Sequence, residues 1–370
     1  MPRKKVEDAE PAKKPAKKKV AKKKEEESAP LEVGSDAWFN AEIGPVVKQF
    51  QQKYGEGAVM TLEGQFSMGE AKEYTIVPTG SLQLDVALGV GGMPLGRIVE
   101  IFGAESSGKT TLAMHIVANA QRAGLTCAFL DAEHAVDSKY AKALGVQLDK
   151  LLFAQPDSGE QVLRIADELV DSGKVNVIVV DSVAALTPEA ELTGELGELK
   201  PGAQARLMSQ GLRRLTGKTQ KQDCLIIFIN QTREKIGVQW GSPKTTSGGK
   251  ALRFYATIRV EVSRIGSLKE KSGEKDAIAN KTRAKVIKNK VAPPFKTAEF
   301  DIVFGKGINT YGELVDLAVK HGILVKSGSW YKLPGKDGDA VGQGREAATE
   351  WLEGQPDVEA RIRAAVAQVS

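Results

Sequence analysis

The stretch GAESSGKT, Gly103 to Thr110, stands between an apolar run, RIVEIF (Arg97 to Phe102), and a segment with apolar residues at helical spacing, Thr110 to Ala123. No other part of the chain constrains the fold as much. A strand must end, turn through a tight loop and begin a helix within a few residues, so strand and helix form two layers of an α/β unit. Glycines let backbone N–H groups close around an anion, and the helix N-terminus adds its dipole. The spacing G-x-x-x-x-G-K-T makes Gly103, Ala104, Glu105, Ser106, Ser107, Gly108, Lys109, Thr110 and Thr111 a candidate phosphate cradle. Lys109 would reach the β- and γ-phosphates of a nucleotide, and the Thr110 hydroxyl a Mg²⁺ ion. The plainer alternative is a structural turn that matches the spacing by chance.

The alternation continues on both sides. Strands are expected at TCAFLD (Thr126 to Asp131), VNVIVVD (Val175 to Asp181) and CLIIFIN (Cys224 to Asn230), and helices near Ser138 to Ala143, over Gly159 to Ser172 and over Ala203 to Leu215. Continuous apolar strands between helices predict an α/β fold with a mostly parallel sheet. Beyond Lys250, ALRFYATIRVEV, RAKVIKNK and FKTAEFDIVF read as strands without helices between them, which predicts an antiparallel extension. Four parts are expected. Residues 1–34 form a disordered Lys-rich arm, and residues 35–70 a unit with a helix capped by Ser35 and a strand-like AVMTL. Residues 71–308 form the core. Residues 309–370 form a small α+β domain with the hairpin SGSWYKL and helices over Tyr311 to Lys320, Arg345 to Glu353 and Val358 to Val369.

Three strand ends carry polar groups at one edge of the expected sheet, where open α/β sheets bind ligands. Asp181 ends VIVVD and suits a carboxylate that holds Mg²⁺ directly or through water. AFLDAEHA ends another strand with Asp131 and Glu133, and Glu133 is expected just past the tip of the strand that neighbours the P-loop strand. Glu133 is the better candidate to orient or deprotonate a water, the plainer reading being a carboxylate at a helix start. Asn230 and Gln231 end CLIIFIN, and a neutral amide at Gln231 can bond a γ-phosphate and report its presence. An ordinary polar strand end is the plainer reading.

Gln231 also opens QTREKIGVQWGSPKTTSGGK, a stretch to Lys250 with no hydrophobic period. Long structureless loops inside compact domains are uncommon and tend to be functional. Arg233, Lys235, Lys244 and Lys250 can neutralise phosphates, Gly248 and Gly249 can offer backbone amides, and Trp240 can stack or wedge. A second loop, TGELGELKPGAQ (Thr193 to Gln204), is acidic and leads into a helix bearing Arg206, Arg213 and Arg214. Those arginines suit either nucleic acid or a solvated helix face. In RAKVIKNK, Lys288 and Lys290 share one face of a strand; they either sit on a solvated edge or act in trans on a neighbour's phosphates.

Composition narrows the setting. Residues 1–34 hold 11 Lys and Arg against 7 Asp and Glu, so the arm carries +4 of the +5 net charge and the body is nearly neutral. The arm reads as a solubilising tail or as a basic segment that touches nucleic acid non-specifically. Cys127 and Cys224 lie in apolar runs, as core thiols of a reducing compartment do, and no His/Cys cluster has zinc spacing. No signal peptide and no run of roughly 20 apolar residues is present, so a cytoplasmic, membrane-free protein is expected.

Taken in order, GAESSGKTT, FLDAEHA, VIVVDSVAAL, ARLMSQ, FINQTREKIG, TTSGGKALRFYA, KVIKNKVAPPF and GINTYGELVDL resemble the RecA family of bacterial recombination ATPases, from about Ser35 to the C-terminus. The resemblance implies a RecA-type P-loop core and a DNA-dependent ATPase that uses ATP and Mg²⁺. It implies a protein that polymerises on single-stranded DNA, pairs it with homologous duplex and promotes strand exchange in DNA repair. It implies Glu133 as the residue that activates water, Gln231 as the γ-phosphate sensor and Lys288 and Lys290 as contacts to ATP across a subunit interface. Asp137 and Tyr140 would lie by the adenine, Phe254 would relay between subunits, and the N-terminal helix would dock on the next protomer of a filament. Residues 193–204 and 231–250 would be the two DNA-facing loops. A damage-response (SOS) repressor that cleaves itself on the filament is a further implied partner. The arm over 1–34 is longer than the family's usual start, the end AAVAQVS is not an acidic tail, and Lys200 and Pro201 are unusual in the first loop. Three other readings of the same P-loop stay open: a small-molecule kinase (though no substrate lid or acceptor site is patterned here), a closed-ring motor, and a non-catalytic nucleotide-gated binding module.

Overall fold

A computed structural model of the protein describes residues 32–55, 58–61, 74–195, 200–234, 244–269, 277–335 and 338–368. The chain divides into two compact units, Met1–Glu73 and Tyr74–Ser370. The expected arm lies outside the described residues except for 32–34. Among the described residues no helix is long and apolar enough to cross a membrane.

In the first unit Ser35 caps a helix, its Oγ accepting from Trp38 N at 3.2 Å. The helix runs as an α-turn Asp36–Trp38, a π-turn Phe39–Ile43 and an α-segment Gly44–Tyr54. Pro45 lacks an N–H for the ladder, and the wider π-turn just before it accommodates the missing bond. Gly55, at φ +98°, ends the helix. None of its residues is buried, and Val46 and Phe50 are exposed. The strand expected at AVMTL is not formed over Ala58–Thr61, which bends instead. A strand needs a neighbour to take its backbone hydrogen bonds, and no strand is described in this unit.

The second unit is built on one large sheet. Its strands, in chain order, are β1 (Ile76–Val77), β2 (Met93–Pro94), β3 (Ile98–Gly103), β4 (Cys127–Asp131), β5 (Leu151–Ala154), β6 (Val177–Asp181), β7 (Leu225–Glu234), β8 (Lys244–Thr246), β9 (Ile258–Lys269), β10 (Ala277–Asn289), β11 (Thr297–Val303) and β12 (Gly307–Ile308). β1 pairs with β2 as a separate ribbon; the main sheet runs β12-β11-β10-β9-β3-β7-β6-β4-β5. From β9 to β5 neighbours are parallel, while β9 to β12 are antiparallel. Both faces are covered. Val177 and Val179 point into a core with the helix Lys109–Arg122, and Ile178 and Val180 into one with the helices Gly159–Asp171 and Ala203–Lys221. That two-sided burial is why VIVV has no polar alternation.

Four expectations need correction. β4, the strand that leads to Glu133, does not neighbour β3, the strand before the P-loop: β7 and β6 lie between them, since strands that follow one another in the chain need not pair. Ala251–Tyr255 (ALRFY) is a short helix, not the start of a strand. Leu252 is buried and its carbonyl takes the Ala256 N–H, a helical pairing, and the β-branched run begins only at Thr257 and Ile258. The stretch 231–250 is not structureless at its ends. β7 continues through Gln231 to Glu234 and pairs antiparallel with β8. Finally, Lys288 and Lys290 do not simply share a strand face. The register shifts between Val286 and Lys288, and Lys290 lies beyond the end of β10, so the two-residue alternation does not reach it.

The last part has its own core, with Leu314, Tyr331, Leu352 and Ile362 packed among the helices Thr310–Lys320, Arg345–Glu353 and Pro356–Ala367. A three-stranded sheet of β13 (Val325–Ser327), β14 (Trp330–Lys332) and β15 (Ala340–Gln343) completes it. Leu82 and Val86, on the helix Leu82–Leu88, pack against this core.

Candidate functional site

Gly103 ends β3 so close to its neighbour that a Cβ there would lie 2.0 Å from the Val262 carbonyl. The chain then turns through Ala104–Gly108, with Ser106 at φ 55° and Gly108 at φ 95°, and the helix starts at Lys109. Gly108 is required twice: a side chain would be strained there and would meet Ile302 Cδ1 at 2.4 Å. Lys109 is buried and its Nζ donates to the Ala104 carbonyl at 2.7 Å, bracing the loop from inside. Burial pulls the Lys109 pKa below its ordinary value, against the pull of Asp181, Glu133 and Glu105.

The carboxylates expected at the sheet edge converge here. β4 and β6 are parallel neighbours in register, with Asp131 opposite Asp181. Thr110 Oγ1 donates to Asp181 Oδ2 at 2.7 Å. Burial pushes the Asp181 pKa up to about 6; the Thr110 bond opposes this and Glu133 and Asp131 add to it. Asp131 is turned away from solvent and takes the N–H groups of Ala135 and Val136 and the Gln155 amide, so it serves the turn. Glu133 is exposed. Its Oε1 accepts from Gln231 Nε2 at 2.8 Å and from Ser182 Oγ. The structure thus brings Lys109, Thr110, Asp181, Glu133 and Gln231 together.

Asn230 is fully buried and donates to Glu100 Oε1 (2.9 Å) and to the Ser247 carbonyl (3.1 Å). Glu100 is in turn paired with Arg259, whose guanidinium sits over the Phe102 ring. Beside the loop a cleft of about 290 Å³ is lined by Ser106 to Thr111, Tyr140, Asn280, Ile302 and Phe304. Thr111 Oγ1 and Tyr140 Oη lie 3.0 Å apart. Asp137 caps the helix Ser138–Ala143 through Lys139 N and Tyr140 N. Asn280, Ile302 and Phe304 escaped the sequence reading because they come from antiparallel strands far along the chain. One signal was available in the sequence: Phe304 continues the alternation of Phe300 and Ile302 at the end of FKTAEFDIVF; in the fold those two are buried and Phe304 is 50% exposed.

The cationic candidates are less gathered. Arg206 is exposed and donates to the Pro201 carbonyl at 3.2 Å, and Arg213 is exposed. Arg214 is paired with Asp167 at 2.7 Å, as a solvated helix charge would be. Arg233 and Lys250 are exposed, and the Lys244 backbone is part of β8. Lys235 and Trp240 lie outside the described residues. Gly248 and Gly249 have φ 78° and 77°. The Gly248 N–H, expected to be free for a phosphate, is already given to Gln204 Oε1 at 3.2 Å, because a backbone donor buried at a stem must find a protein acceptor. Phe254 is 70% exposed. Lys288 Nζ donates to the carbonyls of Arg253 (2.7 Å) and Phe254 (3.0 Å), and burial with nearby Lys290 lowers its pKa to about 8. Lys290 is exposed. Cys127 and Cys224 are buried, and burial pushes both thiols up to about 12, as inert core residues.

Comparison with known proteins agrees along nearly the whole chain. A family model described as the RecA N-terminal domain matches residues 41–309, and one described as the RecA C-terminal domain matches residues 312–369. Protein RecA of Blastochloris viridis is 57% identical over 326 residues, which cover 88% of this chain and 91% of that protein. Protein RecA of Parvibaculum lavamentivorans (strain DS-1 / DSM 13023 / NCIMB 13966) is 56% identical, covering 88% and 86%. Protein RecA of Methylobacterium sp. (strain 4-46) is 54% identical, covering 88% and 87%. With both domain models matched in order and identities above one half over most of its length, the chain belongs to the RecA family.

Proposed function

We propose that this protein is a DNA-dependent ATPase that polymerises on single-stranded DNA, pairs it with homologous duplex and promotes strand exchange in recombinational repair. The observation that carries this reading is the bond from Gln231 to Glu133, because β7 runs on from Gln231 into the ribbon it forms with β8. One amide thereby joins the edge where a nucleotide would react to a segment suited to a nucleic-acid backbone.

In this reading the amides from Gly103 to Thr110 and the Lys109 ammonium hold the phosphates, and Asp137 and Tyr140 lie by the base. Thr110 and Asp181 supply one hydroxyl and one carboxylate, a donor set that suits a Mg²⁺ completed by water and phosphate oxygens. Thr110 and Asp181 would hold the ion, which would supply positive charge to offset that of the phosphates. Glu133 orients the attacking water and accepts its proton, and Gln231 exchanges its bond to Glu133 for one to the γ-phosphate. Lys288 and Lys290 reach a neighbour's phosphates, with Phe254 at that interface and the helix over 35–54 docking on the next protomer. Arg206, Arg213, Arg233, Lys235, Lys244 and Lys250 face the DNA backbone, Gly248 and Gly249 let it approach, and Trp240 stacks on bases. The four-part division at 34, 70 and 308, a cytoplasmic location and a damage-response repressor as partner belong to the same reading. ATP turnover with and without single-stranded DNA tests it. Stimulation by DNA is expected, and turnover indifferent to DNA would sink it. Electron microscopy with a slowly hydrolysed analogue should show open helical filaments, not closed rings.

A further inference from the structure

Glu133 Oε1 is the start of two hydrogen-bonded routes that meet again. On one side it accepts from Ser182 Oγ. The next residue, Val183, offers its carbonyl to Gln204 Nε2 at 2.9 Å, and Gln204 Oε1 accepts from the Gly248 N–H at 3.2 Å. On the other side it accepts from Gln231 Nε2. The Gln231 N–H bonds to Asn230 Oδ1 at 2.9 Å, and Asn230 Nδ2 donates to the Ser247 carbonyl at 3.1 Å. Ser247 and Gly248 are consecutive, so the contacts close into a ring. Gln204 is the member that joins the end of the 193–204 segment to the end of the 231–250 segment.

Both ends of its carboxamide are bonded and its orientation is determined. Nε2 faces two carbonyls, Val183 and Leu186, which only accept, and Oε1 faces an N–H, which only donates. The approach depends on glycine. A Cβ on Gly248 would lie 2.7 Å from Val183 Cγ1, and one on Gly249 would lie 2.7 Å from Ala205 Cβ. The backbone therefore sits within hydrogen-bond reach of Gln204 because no side chain intervenes.

We propose that Gln204 is a positioning residue that makes the two loop stems and Glu133 one mechanical unit, so that nucleotide state and DNA affinity are linked through its carboxamide. This rests on the reading given under Proposed function. Contiguity alone does not establish coupling, so the test measures coupling directly. Single-stranded DNA affinity is measured with a slowly hydrolysed ATP analogue and with ADP, in wild type, Gln204→Met and Gln204→Glu. Methionine keeps the length and removes all three polar contacts; glutamate keeps an acceptor for Gly248 and removes both donors. In both variants the analogue-to-ADP affinity ratio should fall about tenfold, ~1.4 kcal/mol of coupling. An unchanged ratio in Gln204→Met, or an equal loss of affinity in both nucleotide states, overturns the inference, since either outcome means packing or direct DNA contact. If Gln204→Met does not fold, the ratio in Gln204→Glu decides alone. A wild-type ratio of one would instead sink the proposed function and is thereby told apart.

Discussion

Asp181 at the tip of β6 and Glu313 at the start of the helix Thr310–Lys320 are both buried carboxylates whose pKa burial raises, to about 6 and about 7. Their partners differ. Glu313 takes the Ser81 hydroxyl (2.8 Å) and the backbone N–H groups of Leu82 (3.2 Å) and Gln83 (2.7 Å), so it caps the helix Leu82–Leu88 with both oxygens engaged. Asp85, raised to about 7, likewise takes the Thr79 N–H. Asp181 instead holds the hydroxyl of Thr110, which can rotate away, and stands near Lys109, which rests on a loop carbonyl. A raised pKa therefore does not by itself mark a reactive site. What separates the two regions is that Glu313 and Asp85 are also held by backbone N–H groups, which cannot leave, whereas the bond that Asp181 makes is to a side chain that can exchange.

Substitutions at the sheet edge should cost activity, and substitutions at the Glu313 junction should cost stability. The largest effect expected is that of Lys109→Ala, which should cut ATP turnover about a thousandfold with little change in melting temperature. Normal turnover would refute the phosphate assignment. Glu133→Gln should lower hydrolysis by about 10²- to 10⁴-fold yet keep analogue-dependent DNA binding, measured by filter binding or anisotropy; loss of both would make Glu133 structural. Glu313→Ala should leave three donors without an acceptor and cost about 3 kcal/mol of stability, read by denaturant unfolding. Turnover per folded molecule should be unchanged, and a catalytic defect would break the contrast.

The pH dependence sharpens the same contrast at smaller amplitude. Glu313 and Asp85 hold protons in the folded state up to about 7, against ordinary values of 4.5 and 3.8. Between those limits the folded protein binds more protons than the unfolded chain, so their contribution is greatest in acid and is lost as pH rises through about 7. Glu313→Gln should flatten that part of the stability profile relative to wild type; an unaltered slope means that Glu313 is already ionised when folded. The smallest effect is expected from removing residues 1–34. DNA affinity should fall mainly at low salt, with a shallower salt slope, and an unchanged slope leaves the arm only a solubilising part.

Much of the fold was legible because burial leaves periodic marks. The strands at β3, β4, β6 and β7 and the helices between them were visible as apolar runs and helical spacing, and the cradle residues as a spaced motif. ALRFY misled because five residues with one buried leucine fit either a turn of helix or a strand edge. AVMTL misled because a strand's existence depends on a partner, which local propensity does not contain. Lys288 and Lys290 misled because a register shift has no signature in alternation.

The chemistry of the sheet edge was determined by sequence alone: a lysine, a threonine and carboxylates at fixed offsets from apolar strands can be read one segment at a time, because each offset is set by local geometry. The tertiary structure decided which of them touch. That Glu133 meets Gln231 and Ser182, that Asn280 and Phe304 line the cleft, and that Gln204 ties the two stems together depend on strand order β11-β10-β9-β3-β7-β6-β4. Strand order is a product of packing across the whole core, not of any local stretch.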